Sequence, residues 1–89
     1  MKFAVLYESG PETRALAPLH FGDHQAWFMD FHRRGLLLMV GPFVDEGGGA
    51  LAVFTTREAA EEFVAGDPFV QNGVVAAWTI REWNEVLAP

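Results

Sequence analysis

The chain has 89 residues, no cysteine and a net charge of −6, from 12 acidic and 6 basic residues. This composition excludes disulfides, thiolate metal sites and cysteine nucleophiles, and it argues against nucleic-acid or anionic-membrane binding, both of which require clustered lysine and arginine. Yet 51% of the residues are hydrophobic and 13% aromatic, rich for a domain small enough to bury only a modest share of its surface.

Residues 2–8, KFAVLYE, are rich in β-formers and read as a strand. Their apolar run is too short for a signal-peptide core of about 7–15 residues. No later window reaches the roughly 18–20 apolar residues of a membrane span, so the chain reads as cytoplasmic. Residues 9–19, with Gly10, Pro11 and Pro18, read as a loop, and a helix fits 20–34. Gly35 is placed to end that helix in the left-handed conformation, and Arg33 and Arg34 suit its C-terminal dipole. The apolar run LLLMVGPF (36–43) reads as a strand buried on both faces, VDEGGG (44–49) as a turn and ALAVFT (50–55) as the returning strand. Thr55 and Glu58 have capping-box spacing, which opens a second helix over 56–65. GDPFVQNGV (66–74) follows, then a last strand over 74–83 and a tail over 84–89, all within one domain spanning 1–89.

The order β-α-β-β-α-β predicts an α+β, ferredoxin-like fold, a four-stranded antiparallel sheet with two helices on one face. Alternate residues expose apolar groups on both faces of the sheet: Phe3, Val5 and Tyr7 on one side of the first strand, for example, and Ala4 and Leu6 on the other. Two helices cover one face only. The other is expected to be buried against a second copy, giving a homodimer.

On the first helix, His20, His24, Trp27, Phe28 and Phe31 share one core-facing stripe, while Asp23, Ala26, Asp30 and Arg33 lie opposite. His24 therefore sits among aromatics and needs a partner for its ring N–H. Two readings stay open for it: a histidine satisfied by a backbone carbonyl or water, or a general acid/base oriented by a carboxylate. His20 and His24 have the spacing of a metal pair, but no third ligand falls on the same side, so no metal site is expected. His32 lies off the stripe and reads as solvated. Asp45 and Glu46 read as solvated turn residues, and Gly47 to Gly49 open no helix, which excludes phosphate-loop geometry. Ser9 is the sole serine, at a strand end, which leaves a hydrolytic triad without support. Asp67, followed by Pro68, reads first as the N-cap of a short helical turn closed by Gly73. It also lies where the second helix returns to the sheet.

The segments DHQAWF around His24, VGPFVDEGGGALAVF (40–54) and GDPFVQNGVV (66–75) together resemble the YciI-like (YCII) family of the dimeric α/β-barrel superfamily. The likeness runs from residue 2 to Trp83, and DPF with its following glycine is its most specific part. The resemblance implies a dimeric α/β barrel and a pocket in which His24 and Asp67 form a catalytic pair, with no cofactor. Among the activities it implies are chloride elimination from a chlorinated hydroxyquinol and, in the wider superfamily, isomerisation of small lactones. The expected protein is thus a small cofactor-independent lyase or isomerase that moves protons on a small aromatic or cyclic molecule. Tyr7, Trp27, Phe28 and Phe43 are expected to line its pocket. Family members often carry arginine three residues before the histidine; here Phe21 stands there, and Arg14 is the next candidate cation. The alternative is a non-catalytic module that binds a small ligand or serves as an accessory dimeric domain.

Overall fold

In the computed structural model, which describes residues 1–89, the β-forming run at the start of the chain becomes a central strand, β1 (Lys2–Ser9), paired antiparallel along both edges. There follow α1 (Thr13–Arg33), β2 (Leu37–Pro42), β3 (Ala50–Phe54), α2 (Arg57–Gly66), a single turn α3 (Pro68–Gln71) and β4 (Val75–Trp83). The sheet is antiparallel throughout in the order β2-β3-β1-β4, the ferredoxin-like arrangement. In the register, Val5 stands beside Ala52 and Ile80, and these side chains face the helices.

The core is aromatic at its centre. Phe31 of α1 stands perpendicular (88°) to both Phe54 of β3 and Phe63 of α2, with ring centroids 6.2 and 5.2 Å away. Such edge-to-face contacts add to the burial of large rings. Trp27 joins this layer: its indole N–H donates to the Phe63 carbonyl at 2.9 Å, and its ring lies against Gly66. A Cβ at Gly66 would fall inside the Trp27 ring, so the glycine at the end of α2 is a packing requirement.

Three sequence expectations are corrected here. The first helix begins at Thr13, not His20, and carries Pro18 inside it. Pro18 lies past the first turn, so it forfeits the bond to the Arg14 carbonyl and its ring crowds that oxygen. Tertiary contacts hold that end: the Thr13 hydroxyl accepts from Gly10 N and donates to the Val74 carbonyl, while Gly10 is small where Ala76 presses on it. Secondly, β2 is not buried on both faces. It is an edge strand with an irregular register between Leu37 and Met39, and Leu37 alone is buried while Leu38, Met39 and Val40 are exposed. Thirdly, the N-cap of α2 is Thr56, whose hydroxyl accepts from Ala59 N at 3.1 Å. Thr55 still belongs to the sheet, donating its N–H to Leu36 O, so the capping box with Glu58 does not form.

Gly35 ends α1 with φ +76, its N–H bonded to His32 O and that of Leu36 to Phe31 O, a Schellman closure. Arg33 and Arg34 flank this end, exposed, and pair with Asp30 rather than with the last carbonyls. Beyond β4, Glu85 pins the tail to the first strand through Lys2 Nζ at 2.9 Å and the Met1 ammonium at 3.0 Å. Ala4, Leu6, Leu51 and Trp83 lie on the sheet face away from the helices, where the first three are partly exposed and Trp83 is 45% exposed. No helix is long and apolar enough to cross a membrane.

Candidate active site

The site is built on the turn that follows α2. Asp67 ends α2 and caps α3: its Oδ1 accepts from Phe69 N at 3.0 Å, and Pro68 supplies the first helical residue. Gly73 (φ +74) closes the turn, with Val74 N bonded to Phe69 O, the same closure that ends α1. The cap fixes the carboxylate, and the fold buries it completely.

A fully buried carboxylate requires donors, and two more arrive from other elements. His24 Nδ1, on the buried face of α1, lies 2.7 Å from Asp67 Oδ1. The Tyr7 hydroxyl, on β1, donates to Asp67 Oδ2 at 2.6 Å. Because the carboxylate only accepts, Nδ1 is the protonated ring nitrogen and Nε2 is left without a hydrogen-bond partner in the protein. The same turn also grips the imidazole from its face: the Phe69 ring stacks on His24 with centroids 3.7 Å apart and planes 3° from parallel. Phe28 meets the imidazole edge-on at 5.2 Å.

Burial, reinforced by the Asp67 charge and then by the hydrogen bond to it, pushes the Tyr7 phenol well above the usual tyrosine range. Since Tyr7 is the only tyrosine, tyrosinate absorbance reports on it alone. The native state holds this proton more tightly than the unfolded chain does. The stabilisation is therefore complete below about pH 10, the unfolded value, and is lost as pH rises beyond it. An alkaline titration is expected to show no tyrosinate until the protein unfolds, and Tyr7→Phe is expected to flatten the fall of stability above about pH 10. Tyrosinate appearing near pH 10 in folded protein would contradict the buried pair.

Above the imidazole lies a cavity of about 230 Å³, walled by Val5, Phe21, Phe28, Val40, Ala52 and Phe69 among others, with Tyr7 and His24 in its lining. Of the four residues expected to line a pocket, Tyr7 and Phe28 do so. Trp27 does not, because its indole is committed to the core beside Gly66. Phe43 does not either: it lies past the end of β2, 42% exposed, beside Gly49. Arg14 is exposed on the first turn of α1, outside the cavity lining, and Phe21 occupies the wall. His32 is exposed and donates from Nδ1 to Leu37 O at 3.0 Å. No three histidine, aspartate or glutamate side chains converge as a metal-binding group. Sequence reasoning missed the stacking role of Phe69 and the Tyr7–Asp67 bond. The first had a signal, since a ring two residues after a capping aspartate lies on the same short turn as the carboxylate.

Solved structures share this fold. The chain superposes on 5-chloro-2-hydroxyhydroquinone dehydrochlorinase (TftG) from Burkholderia phenoliruptrix AC1100, solved in complex with 2,5-dihydroxybenzoquinone, with a TM-score of 0.78 at 19% identity over 94% of both chains. It also superposes on an antibiotic biosynthesis monooxygenase, with a TM-score of 0.57 at 17% identity over 97% of this chain and 98% of the other. At these identities the likeness is one of fold. No curated protein matches the sequence. The sequence itself matches the YCII-related domain over residues 1–84, nearly its whole length, and the chain therefore belongs to the YCII-related family.

Proposed function

We propose that this protein is a small enzyme of lyase or isomerase type that moves protons on an aromatic or cyclic substrate, with His24 as acid/base and Asp67 as its orienting partner. The observation that carries this reading is the 2.7 Å contact between His24 Nδ1 and a fully buried Asp67 beneath an apolar cavity. Asp67 holds the proton on Nδ1, so Nε2 takes a proton from the substrate; the carboxylate beside it then stabilises the imidazolium, and Nε2 returns the proton to another atom of the ring or to a departing group. Phe69 and Phe28 fix the plane of the imidazole, so no rotation is needed between the two transfers. The dehydrochlorinase of the same fold, solved with a dihydroxybenzoquinone, supports a substrate of single-ring size.

The test is a panel of chlorinated and hydroxylated aromatics, read by chloride release and ultraviolet absorbance. His24→Gln is expected to lower kcat by about 100-fold or more, the usual worth of a positioned acid/base. Turnover by His24→Gln at the wild-type rate would overturn the proposal, and binding of such rings with no turnover in the wild type would assign the domain to ligand binding instead.

The working unit is a homodimer in this reading. Ala4, Leu6, Leu51 and Trp83 on the open sheet face form the apolar surface, and a second copy presents the same surface to it.

A further inference from the structure

Tyr7 and His24 are the only residues in the cavity lining whose side chains carry polar atoms; the other lining side chains are hydrocarbon, with no lysine or arginine among them. Both polar groups have committed a proton to Asp67. The Tyr7 hydroxyl donates to Oδ2 and His24 Nδ1 lies against Oδ1, while Phe69 N holds Oδ1 from the backbone, so the carboxylate cannot rotate. An ionised carboxylate has no proton to give back. The Tyr7 oxygen and His24 Nε2 therefore offer a ligand lone pairs only.

Building on the acid/base reading above, we propose that Tyr7 is a positioning and specificity-determining residue: by giving its proton to Asp67 it leaves the cavity with acceptors alone, and the site selects uncharged single-ring compounds that carry a hydroxyl of their own to donate. Each half follows from the lining. A carboxylate or phosphate would meet two lone pairs and the Phe21 ring where it needs a cation. A ring bearing only ether or carbonyl oxygens would bury an acceptor against acceptors. The volume of about 230 Å³ fits one substituted ring, given that an apolar cavity of about 150 Å³ holds benzene. The elevated Tyr7 pKa is consistent with a phenol that keeps its proton at neutral pH. The ligand hydroxyl that donates to Nε2 is also the group from which His24 would take its proton.

The test is a set of NMR titrations on the folded full chain with hydroquinone, 1,4-dimethoxybenzene and benzoate. Hydroquinone is expected to bind, the dimethyl ether about tenfold more weakly, and benzoate not at all. Tyr7→Phe is expected to weaken hydroquinone while leaving the ether unchanged, and to shift the His24 Nδ1–H resonance; a merely structural tyrosine would weaken both probes alike. Should Tyr7→Phe fail to fold, Asp67→Asn reads the same property. Its carbonyl keeps His24 Nδ1 and Phe69 N, its amide donates to the tyrosine oxygen, and the phenol proton turns toward the cavity, so the ether should bind more tightly than it does to wild type. Four results would overturn the proposal: equal binding of ether and hydroquinone, preferential binding of benzoate, no binding of hydroquinone at millimolar concentration, or a hydroquinone-to-ether affinity ratio unchanged in the folded variants. None of these measurements reads turnover. If the order holds without turnover, the enzymatic reading alone falls; if His24-dependent turnover occurs without the order, the Tyr7 proposal alone falls.

Discussion

Asp67→Ala is expected to cost about 3–5 kcal/mol of folding stability, read by urea denaturation followed through tryptophan fluorescence. The substitution removes the single acceptor of three donors at once: the Phe69 amide, the His24 ring and the Tyr7 hydroxyl. Loss of the cap alone is worth about 1 kcal/mol. The remainder comes from leaving a buried imidazole N–H and a largely buried phenol without their partner. For a domain with a total stability of about 5–15 kcal/mol, that loss brings the native state close to its limit. Asp67→Asn keeps the shape and two of the three bonds and is expected to cost about 1–2 kcal/mol. A loss near 1 kcal/mol for alanine would mean that the carboxylate acts only as a helix cap.

Leu6→Asp is expected to convert a dimer of 9.9 kDa chains into monomers, as measured by analytical ultracentrifugation at micromolar concentration. Leu6 lies on the central strand, facing away from the helices, beside Ala4, Leu51 and Val53 in the groove of the open face. In a face-to-face dimer an aspartate there would be buried against apolar side chains with no cation to pair it, a penalty of several kcal/mol and so at least about a 100-fold loss of affinity. The helix-side core would be untouched, because β1 sends alternate side chains to opposite faces. A wild-type protein that already sediments as a monomer would refute the dimer.

The strands were legible because period-two alternation and the Gly-rich hairpin are local signals, and their order was enough to specify the sheet. The first two turns of α1 were not. Pro18 is ordinarily a breaker, and only contacts far along the chain, Thr13 with Val74 and Gly10 with Ala76, make its lost bond tolerable. Adjacent threonines at 55 and 56 have equal capping chemistry, and the choice fell to whichever of them the sheet did not already hold. The exposure of β2 followed from its edge position, which no single segment encodes. His24 and Asp67 stand 43 positions apart and share no pattern; likeness to a family named them together, and the residues themselves said only that a histidine among aromatics needs a partner. Trp27 and Phe43 were misassigned because a helical wheel and a strand end give direction without depth.

The Asp67–Phe69 turn carries both the acid and the ring that hold the imidazole, whereas much of the cavity wall is assembled from single residues on other elements: Phe21 on α1, Val40 on β2, Ala52 on β3. Proton handling and ligand shape are thereby partly separable, Phe28 and Phe69 serving both. Exchanging Phe21 or Val40 leaves the His24–Asp67–Tyr7 hydrogen bonds intact, whereas a change that shifts the α3 turn moves both the Asp67 carboxylate and the Phe69 ring that hold the histidine. Substitutions at Phe21 or Val40 are free to reshape the ligand space without touching the hydrogen bonds that hold the histidine.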